Sequence, residues 1–96
     1  MSDDLCQLIE RLRRFAEDPG DERGAVEHTL TDGYARALAL EAERRRAEAR
    51  VRELAGEAEA LGEQRILKIR LEQIDSDLAA LRGPLDALAA TLKTPA

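Results

Sequence analysis

The stretch Leu67-Lys68-Ile69-Arg70-Leu71-Glu72-Gln73-Ile74-Asp75-Ser76-Asp77-Leu78-Ala79-Ala80-Leu81 decides the fold. Its Leu67, Leu71, Ile74, Leu78 and Leu81 follow alternating steps of four and three, and Leu85, Leu88 and Leu92 continue them. Those steps put every one of these side chains on a single stripe of an α-helix, which is the mark of a coiled-coil seam. An earlier series keeps the same steps: Val26, Leu30, Gly33, Ala37, Leu40, Arg44, Ala47, Val51, Leu54, Ala58 and Leu61. The two series are out of phase by one residue. The break falls at Leu61-Gly62-Glu63-Gln64, where Gly62 can end a helix in the left-handed conformation.

Two arrangements compete at that break: a chain reversal at Gly62-Glu63, or one long helix with a local phase defect. A helical glycine costs only about 1 kcal/mol, so Gly62 alone does not decide. Complementarity favours the reversal. Pairing residues whose numbers sum to 125 sets Ala58 on Leu67, Leu54 on Leu71, Val51 on Ile74, Leu40 on Leu85 and Gly33 on Leu92. Seam then meets seam, often small against large, which lets helices approach closely. The expectation is an antiparallel coiled-coil hairpin with helix 2 over about 25–61, a turn at 62–64 and helix 3 over about 65–93. Gly83-Pro84 predicts a kink or break in helix 3, because proline removes a donor and crowds the preceding turn. The tail, Thr94-Pro95-Ala96, is expected to fray.

A short first helix is expected over about 3–17. Ser2 or Asp3 caps it, and Leu5, Leu8, Leu12 and Phe15 form one apolar stripe. The glycine- and proline-bearing run 18–24 reads as a loop. Ala25, Thr29 and Thr31 are the candidate starts of helix 2. Folded back, helix 1 would lie beside Leu30, Tyr34 and Leu38, giving a three-helix base that carries a two-helix arm.

Composition agrees with an all-α class and a single domain of 96 residues. Ala and Leu supply 32 of the 42 hydrophobic residues and only Phe15 and Tyr34 are aromatic, which leaves little from which to build strands. A net charge of −5 disfavours generic nucleic-acid binding. No apolar run approaches a membrane span of about 20 residues, and no signal-peptide pattern opens the chain. A soluble cytoplasmic protein is the expectation. Cys6 is the only cysteine, expected to be a structural residue beside the helix 1 stripe, and His28 has no partner at metal-ligand spacing. No metal, cofactor or catalytic group is expected. The arginine-rich run 44–52 is interleaved with glutamates. Glu41 to Arg45 and Glu48 to Arg52 have the i,i+4 order of a solvated helix face.

The residues singled out for function are Ile66, Ile69 and Gln73, with Glu59 and Glu63 at the tip. Ile66 and Ile69 are large, apolar and off the seam, and with Gln73 and Ala80 they trace a second stripe. On a two-helix arm that stripe implies a surface for a protein partner or a second copy, most simply a homodimer. Glu57, Glu59 and Glu63 make an acidic tip. An arm with such a tip resembles the architecture of transcript-cleavage factors that probe the RNA polymerase secondary channel, whose tip carboxylates hold Mg²⁺; their second domain has no counterpart here. That resemblance implies a regulator inserting its arm into a larger machine. The length and three helices also resemble small helical chorismate mutases, with Leu71-Glu72-Gln73-Ile74-Asp75-Ser76-Asp77 similar to the heptads of their first helix. Their constellation of arginine, lysine and glutamate on a long helix is not recognisable. The primary expectation is a non-enzymatic adaptor or assembly subunit acting by helix-on-helix packing.

Overall fold

The structure, a computed structural model, describes residues 1–93; the expected fraying of 94–96 lies outside the described residues. The protein is all-α, with three helices and no strand among the described residues: α1 (Asp3–Glu17), α2 (Arg23–Leu54) and α3 (Leu61–Lys93), plus a 3₁₀ turn over Ala58–Ala60. It measures 59 × 22 × 16 Å.

α1 starts where Ser2 Oγ accepts the Leu5 N–H, with Asp3 and Asp4 at the positive end of the helix dipole. It stops at Asp18, whose carboxylate accepts the Gly20 N–H while Gly20 turns the chain with φ 58°. The loop is shorter than expected, because α2 begins at Arg23. Neither candidate threonine caps it. Thr29 Oγ1 donates to the Ala25 carbonyl and Thr31 Oγ1 to the Glu27 carbonyl, one turn back inside the helix.

α3 runs back along α2. Arg82 bonds Glu41, Arg44 bonds Asp75 at 2.9 Å, and Arg50 bonds Glu63 at 3.0 Å, so numbers rise on one helix as they fall on the other. The reversal is not at residues 62–64. α2 ends at Leu54, Gly56 takes the left-handed conformation at φ 85°, and α3 begins at Leu61. Gln64 Nε2 donates to the Leu54 carbonyl at 2.5 Å, satisfying one of the groups a helix end leaves open. Gly62 sits in the first turn of α3, and Ala58 and Leu61 are exposed rather than on the seam.

The earlier turn shifts the register. Gly33 packs against Leu85, and Leu54 meets Gln64; both pairs sum to 118, where 125 was expected. The difference is one heptad, so seam still meets seam. Gly33 permits the closest approach: a Cβ there would lie 2.7 Å from Leu85 Cδ1 and 3.5 Å from both Leu12 methyls.

The expected interruption at Gly83-Pro84 is absent. α3 continues through Pro84, and Leu81, Leu85 and Leu88 are buried on both sides of it. That apolar stripe holds its phase against two other helices, which offsets one lost backbone bond.

α1 lies antiparallel to α2 in the groove between the long helices. Arg11 reaches Asp32, Arg36 donates to Ser2 Oγ, and Ile9 sits beside Ala80 of α3. Leu5, Leu8, Ile9 and Leu12 join Val26, Ala37, Leu40, Ile74, Leu78, Leu81, Leu85 and Leu88 in one core. Tyr34 and Leu38, expected beneath α1, are 46% and 65% exposed on the opposite edge. The register explains why. Tyr34, Leu38 and Glu41 share a stripe, and Glu41 faces Arg82 across the edge away from α1. Cys6, expected to be structural, is exposed.

Candidate interaction surface

α1 is half as long as its neighbours, and where it stops the groove continues. Ser2, Arg36, Ala39, Leu40, Glu43, Arg46, Arg70, Gln73 and Asp77 line a cavity of about 340 Å³ at that point. Positions 36, 39, 43 and 46 of α2, and 70, 73 and 77 of α3, follow the three-four spacing that keeps them on one edge of each helix. Continued towards the tip, the same spacing reaches Arg50 and Glu53 on α2 and Ile66 and Glu63 on α3. The pairs Glu43–Arg70, at 2.5 Å, and Arg50–Glu63 bridge this edge. Hydrogen bonds that Arg50 donates to Glu63 first, then to Glu53, push its pKa up.

The second stripe read from the sequence is divided by this geometry. Its base end, Ala80, is packed against the core under α1. Gln73 lines the mouth of the groove. Ile66 and Ile69 lie beyond α1 and are 68% and 58% exposed. Here the seam itself is incompletely covered. Val51, Leu67 and Leu71 are only half-buried, whereas their counterparts at the base, Leu81, Leu85 and Leu88, are fully buried. Two helices shield a seam from two directions only; the base has a third.

Electrostatics separate the two edges. The sequence suggested Glu41 with Arg45 and Glu48 with Arg52, but Glu41 bonds Arg82 across the helices and Glu48 bonds Arg44, one turn back within α2. Arg45 and Arg52 have no carboxylate partner among the described residues. Arg44, on the seam by number, directs its guanidinium to Glu48 at 3.2 Å and Asp75 at 2.9 Å while its side chain stays 47% exposed. Arg46 on the groove edge has no carboxylate partner among the described residues, and Arg36 bonds the Ser2 hydroxyl. At the tip, Glu57 and Glu59 are exposed and unpaired among the described residues, while Glu63 is engaged by Arg50. His28, on the first turns of α2, lies 3.6 Å from Asp32.

The groove mouth itself was not legible in the sequence. Arg36, Arg46 and Arg70 are far apart in number, and only the stopping point of α1 brings them to one cavity. The signal available was the length mismatch between α1 and the other two helices. Arg70 in this cavity is tied to Glu43. Among the described residues no three His, Cys, Asp or Glu are placed to hold a metal ion, and no helix is long and apolar enough to cross a membrane. Comparison with known protein families, with curated proteins and with solved structures finds no match.

Proposed function

We propose that this chain is a non-enzymatic interaction module. In this reading α2 and α3 are an antiparallel coiled-coil hairpin, α1 braces its base, and the arm beyond α1 docks by helix-on-helix packing. One observation carries the reading. Where α1 ends, Ile66 and Ile69 stand exposed beside the half-buried seam residues Val51, Leu67 and Leu71. Burying a large aliphatic side chain is worth about 1.5–3 kcal/mol, so an arm that leaves two in water is stabilised by whatever covers them. Apolar area would supply affinity, and the flanking Arg50, Arg70 and Glu63 would set orientation.

A photoreactive residue in place of Ile66 tests this in cells. Adducts are expected at 66 and not at Gln7, on the exposed side of α1. Adducts at 66 should vanish when Ile69→Glu is added, with helicity retained. Absence of any adduct at 66 would sink the reading.

A further inference from the structure

We infer that the occupant of the open groove is a second copy of this chain, set antiparallel about a two-fold axis, with the tip of each arm seated at the other's groove mouth; this rests on the interaction reading above.

The molecule has a step. Three helices fill the cross-section up to the N-terminus of α1, and two continue past it, with the groove mouth bounded by Ser2, Arg36, Arg46, Arg70 and Asp77. The open length of arm runs from that mouth, near residues 43 and 75, to the reversal at Gly56. A segment entering the groove must fill this length and stop against the end of α1. The arm of a second copy has the same length by identity. Turned through a two-fold axis, each arm lies in the other's groove and its tip abuts the other's α1. Such an interface is self-complementary and closed, so it ends at two chains.

Charge agrees at each end of the overlap. The tip presents Glu57 and Glu59, with no ion pair among the described residues. The mouth presents Arg46, likewise without a carboxylate, and Arg36, bonded to a hydroxyl, and these two outnumber Asp77 on the same lining. Two-fold pairing brings this acidic end onto this basic one twice. Between the ends, the groove-edge charges are already engaged within one chain, Arg50 with Glu53 and Glu63 and Arg70 with Glu43. Arg45, Arg52, Arg65 and Lys68, cations without a carboxylate among the described residues, are at positions off that edge. The midpoint of the overlap falls near Arg50 on α2 and near Ile66 and Ile69 on α3. Each exposed isoleucine pair would therefore meet its own symmetry mate, with Val51, Leu67 and Leu71 closing a four-helix core.

Light scattering and sedimentation on the full chain, together with a charge swap, test this. The unmodified chain should have twice the mass of one chain. Glu57→Arg with Glu59→Arg, or Arg36→Glu with Arg46→Glu, should each raise the dissociation constant about tenfold or more. Mixing the two variants should restore a stable pair, because each tip again meets an opposite mouth. Arg45→Glu with Arg52→Glu should leave the mass unchanged. A Cys6→Ser, Ile66→Cys chain should be trapped as a dimer by a short bis-maleimide. A monomer at all concentrations, or a dimer unmoved by the tip and mouth reversals, or a mixture that fails to re-pair while both variants stay helical, would overturn the inference. Any of these results accompanied by adducts at position 66 to another protein would remove the second copy yet leave the interaction reading; no adducts at all would remove both.

Discussion

At the scale of single residues, two glycines six apart divide the labour of the reversal. Gly56 has φ 85°, a conformation that a Cβ strains whatever space surrounds it. Gly62 lies in the first turn of α3, where an added methyl would meet nothing within 4 Å and φ is not positive. Alanine should therefore act in opposite directions. Gly56→Ala is expected to lower stability by about 1 kcal/mol or more, and Gly62→Ala to raise it by up to about 0.5–1 kcal/mol. Urea midpoints measure both. If Gly62→Ala were the damaging change, the reversal would lie where the sequence first suggested. That first suggestion failed for a definite reason. A seven-residue repeat matches itself when slid by seven, so seam complementarity alone is equally good at either register. The tie is broken by backbone conformation at Gly56 and by Gln64 closing the Leu54 carbonyl, neither of which leaves a periodic trace.

At the scale of elements, α1 is held by its own stripe and by the notch at Gly33. Leu12 is fully buried and touches that notch, so Leu12→Ala combines lost transfer energy with a cavity under three helices. A loss of about 2–5 kcal/mol is expected in chemical denaturation, with α1 amides losing protection first. A loss below about 1 kcal/mol would mean that α1 is not part of the core. Arg44 makes the opposite case. It occupies a seam position near the fully buried Ile74, yet Asp75, 55% exposed, and Glu48, 38% exposed, would stay hydrated without it. Arg44→Leu should thus strand no buried charge and should raise stability by about 1 kcal/mol, read as a higher urea midpoint. A lower midpoint would show that the ion pairs outweigh the seam. The helices and their apolar stripes were readable because burial imposes a period. The bed of α1 was not: Tyr34 and Leu38 looked like its neighbours by hydrophobicity alone, and they are on the far edge. Which flank of a hairpin a third helix takes depends on small residues that admit it, here Gly33, Ala39 and Ala80, and small residues carry little hydrophobic signal.

At the scale of the whole molecule, burial is graded along its 59 Å length. The contiguous core runs through all three helices at the base and ends near Leu40 and Ile74. Beyond that, Ala47 and Leu54 are the buried apolar residues of the arm, and both lie outside the core cluster. Local opening free energy follows the apolar contacts that opening breaks. In dilute solution, where a single chain has only itself to pack against, amides of residues 44–71 should open at a cost about 2 kcal/mol lower than those of 29–40 and 78–88. Native-state hydrogen exchange resolves the two groups. Under the proposed pairing, covering Ile66 and Ile69 would supply the contacts the arm lacks. Raising the chain concentration should then protect the arm selectively and leave the base almost unchanged. Uniform protection along both long helices in dilute solution would contradict the picture of a braced base and an under-packed arm. It would mean that the two-helix seam is self-sufficient and that its exposed isoleucines have no energetic call on a partner.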